Sequence, residues 1–160
     1  MKIDDNNVLL SVRDLSVEYH AGGEIIKAVN GVSFDVLRGQ TLGLVGETGA
    51  GKTTIAKSIL RVLPEPPSKV TGGKIYLKGE DLFSLPEKQM RKIRGDVVSM
   101  VFQDPMTALN PVFTVGDQIT EAVRHHSNLS KAKAMKRSVD MLEMVGIPAE
   151  RYNEYPHTFS

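Results

Sequence analysis

The sequence predicts an α/β fold in which antiparallel strands precede a core built around a parallel sheet. Residues 8–19 alternate apolar and polar side chains, which is typical of a half-buried strand. Residues 41–45 form a short, mostly apolar run, as expected for a strand buried on both faces. Residues 53–62 carry an apolar stripe at helical spacing. A strand, a glycine-rich loop and a helix are therefore expected to follow one another here.

The loop between this strand and helix matches a phosphate-binding motif. Residues Gly46–Thr53 fit G-x-x-x-x-G-K-[ST], the P-loop of proteins that bind nucleoside triphosphates. Glycines let the backbone take positive φ and approach phosphates closely, while loop amides and the helix dipole attract the anion. We expect Lys52 to reach the β- and γ-phosphates and the Thr53 hydroxyl to coordinate Mg²⁺. The alternative interpretation is a glycine-rich turn before an ordinary helix.

The other motif positions have lesser expected roles. Thr54 adds a second hydroxyl near the α-phosphate. The positions that shape the loop through their backbone are the glycines Gly46, Gly49 and Gly51, together with Glu47, Thr48 and Ala50.

The remaining elements are predicted from the same patterns. Residues 25–36 are expected to form a strand, a short turn near Asn30-Gly31 and a second strand, and Pro64 to Ser68 should end the P-loop helix. The later predicted elements are a strand over 74–77, a helix from Pro86 to Arg94, a buried strand over 97–102 that Pro105 breaks, and helices over 114–125 and 130–145.

Three groups of side chains in these later elements favour structural interpretations. His125 and His126 point about 100° apart on a helix, which disfavours a metal site. A basic cluster is predicted to be a solvated helix face, and it comprises Lys88, Arg91, Lys92 and Arg94. An apolar stripe in the last helix is predicted to be core, and it comprises Met135, Val139, Leu142 and Val145.

Composition narrows the function classes. The 160 residues suffice for one domain with a core, and 20 Lys plus Arg against 19 Asp plus Glu leave a net charge of +1, which gives no support for nucleic-acid binding. Cysteine is absent, which excludes disulfides and thiolate metal sites. The polar first residues do not resemble a signal peptide, and no apolar run approaches the roughly 20 residues of a membrane span. We therefore expect a soluble, cytoplasmic protein that meets a membrane only through a partner.

Three further features resemble the nucleotide-binding subunit of ATP-binding cassette (ABC) transporters. Tyr19 is an aromatic strand residue upstream of the P-loop, and the run 97–102 ends at Gln103, about fifty residues after Lys52. A helical segment follows and closes with Tyr155–Ser160. The stretch FQDPMTALNP, beginning at Phe102, is similar to that of oligopeptide, dipeptide and nickel importer subunits.

The resemblance implies a fold and two further site residues. The fold is a P-loop NTPase (RecA-like) core with an N-terminal antiparallel β subdomain, over about 1–105, followed by the Q-loop and part of the helical subdomain, over about 106–160. Tyr19 corresponds to the aromatic residue that stacks on the adenine of ATP, a contact worth about 1–3 kcal/mol. Gln103 corresponds to the Q-loop glutamine that approaches Mg²⁺ and the attacking water. The alternative for Tyr19 is a strand-end tyrosine that packs on the sheet, and the alternative for Gln103 is a polar residue that ends a strand.

The resemblance also implies partners and a location. An energy-coupling ATPase subunit of this class docks on transmembrane permease subunits at the inner face of the cell membrane. It forms a head-to-tail homo- or heterodimer with a second ATP-binding subunit, and an extracytoplasmic solute-binding protein acts indirectly. Peptides or related solutes are the implied cargo.

Several family features lie outside these 160 residues. Phe159-Ser160 resemble the start of the signature motif, whereas its glycines, the Walker B strand and the switch histidine are not in the sequence. We therefore expect an incomplete nucleotide-binding domain that binds ATP and does not hydrolyse it alone. Two alternatives stay open: a nucleotide-binding fragment that engages a partner without turnover, and a P-loop kinase acting on a small molecule.

Overall fold

The computed structural model describes residues 7–104 and 108–159. They divide into two compact units, one ending at Arg94 and the other beginning at Gly95. Within these described stretches, no helix has the length and apolar character needed to cross a bilayer.

The first unit contains an antiparallel sheet, as predicted for this part of the chain. Its strands are β1 (Val8–Ala21), β2 (Glu24–Leu37), β3 (Ser68–Leu77) and β4 (Glu80–Asp81), in the order β2-β1-β3-β4. Every neighbouring pair is antiparallel. The fully buried side chains of this sheet are Val12, Leu15 and Val17 on β1 and Ile75 on β3.

Strand β2 runs without a break, so the predicted turn at Asn30-Gly31 is wrong. Gly31 does have a positive φ of 65°, but the Ser16 hydroxyl accepts a hydrogen bond from its N–H at 3.0 Å. Nearby, the Ser33 hydroxyl accepts from the N–H of Asp14 at 2.8 Å. These hydroxyls accept hydrogen bonds from backbone N–H groups at the points where the pairing register of β1 and β2 shifts. The chain therefore forms a bulge within a continuous strand and not a turn.

Two helices complete the first unit: α1 (Lys52–Leu60) and α2 (Glu87–Ile93). Helix α1 ends before the prolines that were expected to end it. Arg61 takes a left-handed conformation with φ 52°, and the Val62 N–H donates to the Lys57 carbonyl at 3.0 Å. This geometry satisfies the last carbonyls of the helix.

The two predicted core strands at 41–45 and 97–102 do not form. Both segments lie outside the helices and strands, and Val45 and Val101 are 96% and 91% exposed. A parallel strand needs a neighbour for its backbone hydrogen bonds, and the sheet of the first unit is wholly antiparallel and includes neither segment. Pro105, expected to end the second strand, lies outside the described residues.

The second unit is helical. It contains α3 (Val115–His125), α4 (Lys131–Met144) and two 3₁₀ turns, Ala149–Asn153 and Pro156–Thr158. Its apolar centre consists of Val115, Leu142 and Tyr152, against which Ile119, Val139, Ile147 and Phe159 pack.

The buried face of α4 differs from the predicted stripe. Ala134, Ser138 and Leu142 are its buried residues, whereas Met135 and Val145 are 43% and 70% exposed. The Ser138 hydroxyl accepts from Thr120 Oγ1 at 3.0 Å and donates to the Ala134 carbonyl, so a polar residue occupies the core side. Small residues at this spacing allow α3 to approach closely, and half of the predicted stripe is left facing solvent.

Candidate nucleotide-binding site

The phosphate-binding motif forms a tight loop that leads into α1. Gly51 is the N-cap residue with φ 81°, and the Ala50 N–H donates to the Glu47 carbonyl at 3.1 Å within the loop. The first helical bond runs from the Ile55 N–H to the Gly51 carbonyl at 2.9 Å. The N–H groups just before Ile55 therefore have no carbonyl of their own helix to bond, and the N-cap supplies no side-chain acceptor. This is the arrangement that binds phosphate at a helix N-terminus.

Strand β2 holds the loop at Gly51. A Cβ at this position would lie 2.2 Å from the Ala28 carbonyl oxygen and 3.3 Å from Val29 Cγ2, so no larger residue fits without movement of the backbone. Gly49 also has a positive φ, 85°, but nothing lies within 4 Å of where its Cβ would be. Gly51 is thus needed for both conformation and space, and Gly49 for conformation alone.

Lys52 folds back over the loop that precedes it. Its Nζ donates to the carbonyls of Gly46 at 2.7 Å and Glu47 at 2.6 Å. An ammonium carries three donors, so these two bonds orient the side chain and leave it capacity for an anion. The loop amides and this cation together fit the charge and donor pattern of a polyphosphate.

The predicted hydroxyl and aromatic residues meet at the start of α1. Thr53 is exposed and Thr54 is buried. Tyr19, half-buried on β1, places its Oη 3.4 Å from Thr54 Oγ1. The structure therefore brings Tyr19 to the helix end that carries the motif.

Gln103 belongs to the second unit. It is exposed and lies outside the helices and strands. Its role as a ligand of Mg²⁺ or water stays a prediction. Ser160, expected to open the signature motif, and residues 105–107 of the Phe102–Pro111 stretch lie outside the described residues.

The sequence interpretation missed a pair of arginines at the other end of α1. Arg94 Nε donates to the Leu60 carbonyl at 2.7 Å, and its Nη2 donates to the Arg61 carbonyl at 3.0 Å. Arg61 in turn donates to the carbonyls of Leu82 and Leu85. Cationic side chains at a helix C-terminus interact favourably with its dipole. The prediction of a solvated helix face is therefore wrong for Arg94, whose guanidinium bonds the carbonyls at the end of α1.

Glu87 completes this contact. It forms ion pairs with both Arg94 and Arg91. The hydrogen bond from Arg94 holds the pKa of the Glu87 carboxyl below its ordinary value. The ion pair thus links the first residue of α2 to the Arg94 side chain that donates hydrogen bonds to the end of α1.

His125 and His126 lie at the end of α3, where their ring centroids are 4.9 Å apart in an edge-on arrangement. Over residues 7–104 and 108–159, no three or more His, Asp or Glu side chains are grouped so as to hold a metal ion.

Comparison with known proteins places this geometry in a family. The family model described as "ABC transporter" matches residues 29–160. The chain is 47% identical over 156 residues to the probable peptide ABC transporter ATP-binding protein y4tR of Sinorhizobium fredii, covering 96% of this chain and 47% of that protein. It is 50% identical over 154 residues to the dipeptide transport ATP-binding protein DppD of Bacillus subtilis, covering 95% and 46%. The chain thus spans about half the length of these curated relatives.

Solved structures agree on the fold. The dimeric structure of MJ0796, a bacterial ABC transporter cassette, matches with a TM-score of 0.79 at 24% identity, covering 95% of this chain and 63% of that one. A second dimeric structure of the same cassette, in a post-hydrolysis state with ADP and Pi, matches with a TM-score of 0.77 at 23% identity over the same shares. At these identities the likeness concerns the fold alone.

Proposed function

The chain belongs to the ABC transporter family, and from that premise we propose that it is the ATP-binding part of an energy-coupling subunit. The transporter would import peptides or related solutes. Support for the cargo class comes from the relatives, whose names describe peptide and dipeptide transport. Transport and coupled ATP hydrolysis are proposed for the whole protein, of which this chain matches about half.

The observation that carries the proposal is the loop at the start of α1. Gly51 lies against the Ala28 carbonyl, the first amides of the helix lack helical partners, and Lys52 is oriented by two loop carbonyls. These features together present several donors and one cation to an anion of polyphosphate shape. An ordinary turn before a helix has no need of a lysine bound back to its own loop.

We assign the remaining site residues within this proposal. Thr53, exposed at the first turn of α1, would hold Mg²⁺ through its hydroxyl, a hard oxygen ligand that this ion prefers. Tyr19 would stack on the adenine, and Thr54 would lie near the α-phosphate. Gln103 would approach Mg²⁺ and the attacking water. When bound, Mg²⁺ neutralises charge on the phosphates, while the chain supplies binding and orientation.

The proposed partners follow from the same family. They are transmembrane permease subunits and a second ATP-binding subunit in a head-to-tail dimer, with an extracytoplasmic solute-binding protein acting indirectly. The subunit would then lie at the cytoplasmic face of the membrane. Residues from about 106 onward would form the Q-loop and helical subdomain that docks on the permease.

A pair of lysine variants tests the proposal. Lys52→Ala removes the cation at the loop, whereas Lys57→Ala removes a cation from the last turn of the same helix. We expect Lys52→Ala to abolish binding of ATP with Mg²⁺ in isothermal titration calorimetry, because a charge-assisted contact to phosphate is lost, and Lys57→Ala to bind as the parent does. Unchanged affinity in Lys52→Ala would overturn the proposal.

A further inference from the structure

The hairpin of β1 and β2 contains a bulge beside the phosphate-binding loop. Val17 pairs with Val29, and the next residue, Glu18, pairs with Lys27, so Ala28 is an extra residue on β2. The carbonyl of Ala28 is the atom that a Cβ on Gly51 would meet at 2.2 Å. The bulge and the loop are therefore packed directly against each other.

This bulge changes which side chain of β2 shares a face with Tyr19. In a regular strand every second side chain lies on the same face, so Lys27, two residues before Val29, would share the face of Tyr19. Because Ala28 is inserted, Tyr19 instead pairs with Ile26, and directly paired residues of antiparallel strands lie on the same face. The bulge thus replaces a cationic neighbour of Tyr19 with an apolar one.

Ile26 lies on the same sheet face as the loop contacts and is exposed. That face begins at the buried pair Val17 and Val29, where Val29 meets Gly51, and continues to Tyr19, whose hydroxyl approaches Thr54. Ile26 is next to Tyr19 and is 57% exposed. An exposed β-branched side chain beside an aromatic ring, at the start of a phosphate-binding helix, offers apolar surface to a planar base.

We propose that Ile26 forms, together with the Tyr19 ring, the apolar wall that receives the purine base of the nucleotide. The inference rests on the proposed function and names a residue that sets the contribution of the base to affinity. Stacking and aliphatic contacts do not depend on hydrogen bonds to the base. The wall should therefore raise the affinity for any nucleotide over that for a ligand without a base, and should discriminate little between different bases.

The neighbouring residue supplies a matched control. Ile25 is 60% exposed, nearly the same as Ile26, but it pairs with His20 and lies on the opposite face. Substituting either residue removes the same atoms from the same edge strand. If these substitutions acted only by disturbing the hairpin, or a protein that docks on this edge, Ile25→Ala and Ile26→Ala would have similar effects on nucleotide affinity.

The experiment compares two ligands by isothermal titration calorimetry in the presence of Mg²⁺: ATP and inorganic triphosphate, which lacks the base. We expect Ile26→Ala to raise the Kd for ATP about five-fold, equivalent to about 1 kcal/mol, and to leave the Kd for triphosphate unchanged. Ile26→Leu, which keeps the apolar area, should stay within about two-fold of the parent for ATP. Ile25→Ala should change neither ligand.

The outcomes separate this inference from the function on which it rests. If Ile26→Ala leaves the ATP affinity unchanged, or weakens ATP and triphosphate equally, Ile26 is not part of a base site, while loss of both ligands in Lys52→Ala still supports nucleotide binding. If Ile25→Ala weakens ATP as much as Ile26→Ala does, the face assignment is wrong. If the parent chain binds neither ligand, both proposals fail together.

Discussion

Replacing Gly51 by alanine tests the physical basis of the loop most sharply. A side chain there must take a left-handed conformation, because φ is 81°, and a non-glycine residue in such a region costs about 1–3 kcal/mol. Its Cβ would also lie 2.2 Å from the Ala28 carbonyl oxygen, a backbone atom of a paired strand. Forcing an extra methyl group into a packed site costs about 1–3 kcal/mol more. We therefore expect Gly51→Ala to lower the free energy of unfolding by about 2–6 kcal/mol.

Gly49→Ala separates these two contributions. Its φ of 85° imposes the same kind of backbone strain, but its Cβ would meet nothing within 4 Å. Only the conformational cost of about 1–3 kcal/mol is then expected. Urea unfolding followed by far-ultraviolet circular dichroism measures both variants against the parent. Equal destabilisation of the two variants would refute the claim that the loop is held by contact with β2.

Two further substitutions probe the rest of the chain. In Gly116→Ala, the new Cβ would lie 2.3 Å from the Tyr152 ring. We therefore expect the free energy of unfolding of the second unit, measured in urea, to fall by about 1–3 kcal/mol. A loss below about 0.5 kcal/mol would contradict the described packing of α3. In Glu87→Gln, the ion pair with Arg94 is lost. Because the folded-state pKa of Glu87 is lowered, its stabilising contribution is complete at neutral pH and disappears as pH falls through that pKa. The parent should therefore lose more stability than the variant between neutral and acidic pH, and parallel pH profiles from urea unfolding would contradict this.

The local part of the site was predictable from the sequence. The motif fixes a glycine-rich loop before a helix because only glycine tolerates the positive φ values found at Gly49 and Gly51. The start of α1 and the antiparallel strands around Tyr19 follow from short-range patterns, and they appear where these patterns place them. The position of Tyr19 beside Thr54 is consistent with the role that the family resemblance implies.

Features that depend on pairing were not predictable in the same way. The bulge at Ala28 and the continuity of β2 through Gly31 depend on the register with β1, which one strand's residues do not determine. The apolar run at 41–45 has the composition of a buried strand, but a strand forms only where another strand accepts its hydrogen bonds. The role of Arg94 depends on α2 reaching the end of α1, a tertiary contact that helical periodicity cannot indicate.

The central claim is that the loop ending at Gly51 binds the phosphates of ATP, and amide chemical shifts test it most directly. Two-dimensional ¹H–¹⁵N NMR spectra of the chain would be recorded during titration with ATP and Mg²⁺. We predict that the largest shift changes occur at the amides of Gly51, Lys52 and Thr53, since these groups donate to the bound phosphates. Saturating changes confined to residues outside Gly46–Thr54, or no change at all, would contradict the account.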